Sequence, residues 1–210
     1  MLDIRRQEAE VTLVLDDGTT LEVAPESVPA GIPDIGEMLD ADLVADLRLA
    51  AERKQVARLI FTMLDRRLHP VARIRDKAQE KGYSRAAVDA VLDQMSAKGL
   101  YSDRTFAEAY CRDCIASRAV GRRYLVARLR SKGVPAAIAG AAADEVLDSE
   151  TEQTLARRAA EIRWRKIRGS GGMKDLARVV RHLQSRGFDP GTANRAARGT
   201  RPESAPEVDD

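Results

Sequence analysis

Only two cysteines occur among the 210 residues, Cys111 and Cys114, and only two histidines, His69 and His182. So few thiols exclude a disulfide-stapled secreted scaffold and fit a reducing compartment. A zinc site is equally poorly served, because two cysteines three residues apart need two further ligands that neither histidine obviously supplies. A redox pair normally opens a helix, where its thiolate is stabilised, whereas this pair falls inside a predicted helix. Small apolar packing residues is the plainer reading. Aromatic residues are 4% of the chain, with a single Trp, so any core must be built from Ala and aliphatic side chains, as in packed helices. No run approaches the roughly 18 apolar residues of a membrane span, and the opening "MLDIRRQEAE" lacks the apolar stretch of a secretory signal. A soluble, cytoplasmic protein is expected, without membrane contact. A Gly-rich nucleotide loop, a nucleophile elbow and a paired-carboxylate constellation are also missing, so no catalysis, no metal and no cofactor are expected.

The charge that is present is unevenly placed. Residues 1–49 carry 3 basic and 12 acidic groups, 50–149 carry 19 and 12, 150–201 carry 13 and 5, and 202–210 carry 4 acids and no base. A net charge of +2 therefore conceals a basic body between acidic ends, a polarity that points to an anionic partner.

A phrase also recurs: "AQEKGYSRAAVDAVL", "LRSKGVPAAIAGAAA" and "LQSRGFDPGTANRAA" place Gly82, Gly133 and Gly187 at intervals of 51 and 54 residues. Near-regular recurrence of this length marks a repeat architecture. Each copy reads as three helices: about 50–67, 71–81 and 84–98, then 103–118, 122–132 and 135–147, then 150–168, 173–186 and 190–198. The middle helix ends at a Lys-Gly or Arg-Gly step, where glycine suits the left-handed turn and the cation faces the negative end of the helix dipole. An apolar anchor follows (Tyr83, Val134 or Phe188), then a starter for the third helix: Ser84, Pro135, or Asp189 with Pro190. Ile74 with Ala78, Leu125 with Leu129 and Val179 with Leu183 lie four apart on a stripe that should be buried. Ser102 is placed to cap the helix from Asp103, and Ser149 with Glu152 spells a capping box.

Ahead of the repeats, "VTLVLDDGTTLEV" alternates around Asp16, Asp17 and Gly18, a hairpin with Val11, Leu13 and Leu15 on one face. An isolated hairpin is marginal, so "IPDIGEML" is expected to add a third strand. The helix from about Asp42 to Arg67 is expected to break near Ala50 and to end before His69 and Pro70. The expected architecture is mostly α: a small β-hairpin-containing cap (1–46), three tandem three-helix repeats (47–99, 100–148, 149–198) in an elongated array, and a disordered acidic tail (199–210).

Within "GLYSDRTFAEAYCRDCIASRAVGRRYLVARLRSKGV", residues Gly99, Leu100, Tyr101, Asp103, Phe106, Ala107, Arg118, Gly121, Arg122, Arg123, Leu129, Lys132 and Gly133 follow a pattern that resembles the RecX family, regulatory proteins of the bacterial RecA recombinase. Ser102 departs from it, standing where an acid is usual. The resemblance covers about residues 50–198. It implies a non-enzymatic protein in the groove of the RecA filament, restraining filament extension, ATP hydrolysis and strand exchange in recombination and repair. A monomer is expected, with the RecA filament and single-stranded DNA as partners and only weaker contact with duplex.

The candidate contact residues are two basic runs: Arg122, Arg123, Arg128, Arg130 and Lys132, and Arg163, Arg165, Lys166, Arg168, Lys174, Arg178 and Arg181. Such side chains suit phosphate by charge and by donor number; the competing reading is a solvated helix face. Glu161 and Asp175 are the only acids between residues 153 and 188, too few to neutralise the second run. Trp164 could stack on a base, although a lone Trp in a helix usually belongs to the core, and Phe106 and Tyr124 are expected to be core by the same reasoning. His182, a turn from Arg178, either joins the anion-binding face or is a satisfied surface histidine. A helix-turn-helix DNA-binding regulator and a protein scaffold without DNA affinity are the alternatives. Third helices such as "PAAIAGAAA", poor in base-reading side chains, weigh against the former.

Overall fold

The structure, a computed structural model, describes residues 3–7, 10–28, 35–36, 38–167 and 171–202. It divides into two compact units, residues 1–102 and 103–210.

In the first unit, β1 (Asp3–Gln7), β2 (Glu10–Val14) and β3 (Thr20–Val23) form an antiparallel meander in the order β1-β2-β3. The hairpin turns where its sequence says it should. Leu15 N–H donates to Thr19 O at 2.9 Å, Gly18 adopts φ +79°, and the Asp17 carboxylate accepts from Thr19 N–H at 2.8 Å. A three-residue loop closed by a left-handed glycine is a standard hairpin solution. Val11, Leu13 and Leu15 are buried together with Leu21 and Val23, and they pack on Leu47 and Ala51 of the first helix. The third strand, however, is not "IPDIGEML". It is β1, whose register sets Ile4 opposite Leu13. Of the expected segment, residues 32–34 and 37 lie outside the described residues, while Ile35 and Gly36 form a turn with Gly36 at φ +93°, a conformation that interrupts an extended run.

Helix α1 (Ala41–Arg66) runs unbroken through Ala50. Ala50 and Ala51 are strong helix formers, and the two halves of the helix have different work. Leu47 and Ala51 cover the sheet, while Val56 and Ile60 are fully buried in the repeat formed with α2 (Val71–Glu80) and α3 (Arg85–Ala97). Glu52 ties α1 to the start of α3, accepting from the backbone N–H of Ser84 at 2.5 Å and from its hydroxyl at 2.7 Å. Ser84 Oγ in turn caps Ala87 N–H.

The second unit holds α4 (Asp103–Ser117), α5 (Arg122–Arg130) and α6 (Ala136–Val146), followed by α7 (Ser149–Arg165), α8 (Met173–Ser185) and α9 (Pro190–Gly199). Ala156, Ala159, Ala160, Leu176, Val179, Leu183, Phe188, Ala193 and Ala197 make a core whose small side chains let α7, α8 and α9 approach closely. Ala119, from the loop before α5, joins that same core. Trp164 is buried and donates from its indole N–H to Ala197 O at 3.0 Å; this residue is core. Phe106 is buried and stacks on Tyr110, and Tyr124 is half-buried. The cap of α7 is Asp148, which accepts from Thr151 N–H at 2.7 Å. The Ser149–Glu152 capping box does not form, because Glu152 instead accepts the backbone N–H of Arg122 at 2.9 Å. Asp189 caps α9 as its sequence predicts. Among the described residues no helix is long and apolar enough to cross a membrane.

The recurring glycine step folds identically in all three places. Gly82, Gly133 and Gly187 have φ of +84°, +88° and +87°, and the next residue's N–H reaches back to Ala78 O, Leu129 O and Leu183 O, the paired closure of a Schellman turn. The stripe residues Ile74, Ala78, Leu125, Leu129, Val179 and Leu183 are fully buried.

Gly187 carries a second constraint, since a Cβ there would collide with the backbone of Tyr124 while one at Gly82 would meet nothing. Gly82→Ala should therefore cost about 1 kcal/mol, the left-handed strain alone, and Gly187→Ala about 3 kcal/mol or more once overpacking is added. Urea unfolding of the two variants measures the difference.

Candidate nucleic-acid interface

The second and third repeats meet through their backbones. Gly121, at the start of α5, donates its N–H to Arg186 O at 3.0 Å, and Arg123 N–H donates to Gly187 O at 3.1 Å. Arg186 returns the contact, its Nη1 donating to Ala119 O at 3.0 Å. A side chain at Gly121 would sit 2.5 Å from Gly187 O, so two glycines face each other because nothing larger fits.

This junction decides where the basic residues go. At the start of α5, Arg122 is half-buried and held by Asp144 of α6, with Nη2 to Oδ2 at 2.8 Å and Nε to Oδ1 at 2.5 Å. Its charge is answered within the fold, and the guanidinium holds the Asp144 carboxyl below the usual carboxylate range. Arg123 and Arg130 are exposed and have no acidic partner among the described residues. Arg128 lies against the Tyr110 hydroxyl, and Lys132 Nζ stands 5.2 Å from the centroid of the same ring, a cation–π contact at the far end of α5.

In the third repeat, Arg165, Lys166, Lys174, Arg178 and Arg181 are exposed, and Arg163 is half-buried. Arg178 pairs with Asp175 at 3.1 Å, and the Nε groups of Arg165 and Arg181 point back at Glu161 O and Ala177 O at 3.5 and 3.4 Å, too long to bind the side chains firmly. Arg168 lies outside the described residues. Helix α8 spreads its cations along its length, so Lys174 at one end and Arg186 at the other are separated by about 18 Å of helix.

Arg186 is the residue the sequence conceals. It precedes the glycine of the repeat and reads as an ordinary helix-end cation, yet it is half-buried at the junction beside His182. The signal that would have exposed it, Gly121 approaching Gly187, is a tertiary contact over 66 positions. The two thiols sit in different surroundings. Cys111 is buried and pushed up to about 11, mainly by burial, Cys114 is half-buried, and no metal-binding group of side chains occurs among the described residues.

The fold and its surface define a class: a helical protein of tandem three-helix repeats, fronted by a small sheet, with a third repeat rich in uncompensated cations. Residues 102–142 match the model of the RecX second three-helix domain and 150–197 that of the third. The regulatory protein RecX of Thermobifida fusca is 31% identical over 151 residues, covering 72% of this chain and 81% of that one. RecX of Amycolatopsis mediterranei is 28% identical, covering 71% and 85%. A crystal structure of regulatory protein RecX superposes with a TM-score of 0.72 over 90% of this chain and 94% of that one at 21% identity, a likeness of fold. The chain belongs to the RecX family.

Two outcomes follow from these geometries. Asp144→Asn should destabilise the second unit near neutral pH. Because the folded carboxyl is held low, the pair's contribution is complete above the unfolded aspartate value of about 3.9 and lost as pH falls through the folded value. Wild type and variant should therefore converge in acid, as chemical denaturation across pH would show. In the native protein near pH 8, a thiol reagent should label Cys114 well before Cys111, and mass spectrometry of the modified peptides reports the order.

Proposed function

We propose that this protein binds the RecA–single-stranded-DNA filament and mainly restrains its extension, ATP hydrolysis and strand exchange. It acts as a monomer and without catalysis of its own. Family membership supports the regulatory role. The observation that carries the contact is electrostatic: in the third repeat, Asp175 is engaged by Arg178, leaving Arg165, Lys166, Lys174 and Arg181 exposed without an acidic partner among the described residues. Each such cation that meets a phosphate releases condensed counterions, and the filament offers a regular phosphate backbone. The third repeat, locked to the second, holds the helix positions that carry these side chains in a fixed arrangement, which lowers the ordering cost of binding. The cap and the first repeat would add further contacts.

The test is ATP hydrolysis by the host's RecA on single-stranded DNA, with this protein added before or after filament assembly. Arg165→Glu/Lys166→Glu/Arg181→Glu is the matched variant, chosen from exposed positions so that the fold survives. Dose-dependent loss of hydrolysis with wild type, weakened at least tenfold in the variant, is the expected result. No effect at several-fold excess over filament sites would overturn the reading and favour a helix-turn-helix DNA-binding regulator.

A further inference from the structure

One cluster differs from the rest of the basic surface because it is partly enclosed. Arg163 projects from α7, Lys166 is the residue that ends that helix, and His182 and Arg186 lie one turn apart on α8. Helices α7 and α8 pack on each other through a shared core, and the half-buried imidazole of His182 feels the charges of Arg186, Arg163 and Lys166, which with burial, the larger cause, hold it below the usual histidine value.

The acids of the neighbourhood are engaged or turned away. Asp175 is bonded to Arg178, and Asp189 accepts the Gly191 and Thr192 N–H groups at 2.9 and 3.1 Å. Glu161 is two positions from Arg163, about 200° around the helix. Arg163 contributes a further sign. Arg163 is half-buried, and its Nε has no hydrogen-bond acceptor among the described residues, so the fold itself supplies no fixed partner for this guanidinium.

The cluster is also held in place from behind. Arg186 uses one of its donors on Ala119 O, while its own carbonyl accepts from Gly121 N–H. Both contacts belong to the repeat junction, so side chains that repel one another cannot separate by moving α8.

We propose that Arg163, Lys166, His182 and Arg186 form a phosphate-binding site, pre-organised at the junction of the second and third repeats, that takes a backbone phosphate of a nucleic-acid strand. A fork-shaped guanidinium from each side, an ammonium and an imidazole supply charge and several donors to a tetrahedral oxyanion. The site rests on the reading of this protein as a binder of a DNA-coated filament, and it names where one phosphate sits. It requires neither RecA nor ATP.

With only two histidines in the chain, the imidazole resonances give a direct test in the full-length protein. Titrations by NMR, free and with saturating oligothymidylate or inorganic pyrophosphate, follow His182 with His69 as the internal reference. A phosphate in the site favours the imidazolium, so the midpoint of His182 should rise by about one pH unit with the oligonucleotide while His69 stays put. Lys166→Gln alters an exposed side chain and leaves the fold intact; it should reduce the salt dependence of oligonucleotide binding by about 0.7 in log-log slope. A His182 midpoint unmoved by either probe would overturn the site. A response to pyrophosphate but not to the oligonucleotide would overturn its assignment to a strand. Inhibition of RecA hydrolysis that persists with His182 silent would remove this inference and leave the proposed function standing.

Discussion

The contact on which the second unit depends is the approach of Gly121 to Gly187. Two backbone hydrogen bonds cross it, Gly121 N–H to Arg186 O and Arg123 N–H to Gly187 O, and Glu152 accepts the one amide between them, that of Arg122. The first N–H groups of a helix have no partner within it. Here the start of α5 is satisfied by another repeat's carbonyls and by a carboxylate from α7. Two three-helix modules that could each have ended in solvent thus become one packed body, with Ala119 reaching from one module into the core of the other.

That arrangement sorts the cations into two populations. Arg122 and Arg178 are answered by Asp144 and Asp175, and Arg186 is partly engaged by a carbonyl. These side chains stabilise the fold first. Arg123, Arg130, Lys166 and Lys174 have no such engagement among the described residues and are the groups through which an anion would feel the protein's field. The net charge of +2 says little about this surface, because the segments in which acids outnumber bases are residues 1–49 and 202–210. What matters for a phosphate-bearing partner is local density within a Debye length of about 8 Å.

The sequence was most legible where the physics is local. Schellman turns need a left-handed residue, so Gly82, Gly133 and Gly187 announced three helix ends; four-residue spacing placed Leu125 and Leu129 inside; Asp16, Asp17 and Gly18 turned the hairpin. It was least legible where a distant group competes for a local one. Glu152 has the spacing of a capping box with Ser149, but an orphan amide at Arg122 wins it, and Asp148 takes over the cap. An isolated hairpin is marginal, which makes the following "IPDIGEML" read as its third strand; the pairing goes instead to Asp3–Gln7, and Gly36 turns the chain. Among the candidate contact residues, spacing could not separate Arg122, tied to Asp144, from Arg123 beside it, nor could it distinguish Arg186 from any helix-end cation.

Amide hydrogen exchange at Gly121 and Arg123 tests the junction most directly. If the two repeats form one body through these bonds, both amides should exchange only with global unfolding of the second unit, at the same free energy as the buried interior of α8 around Leu183. Exchange through local opening, at rates like those of an exposed first helical turn, would contradict the account and return the second and third repeats to independent modules.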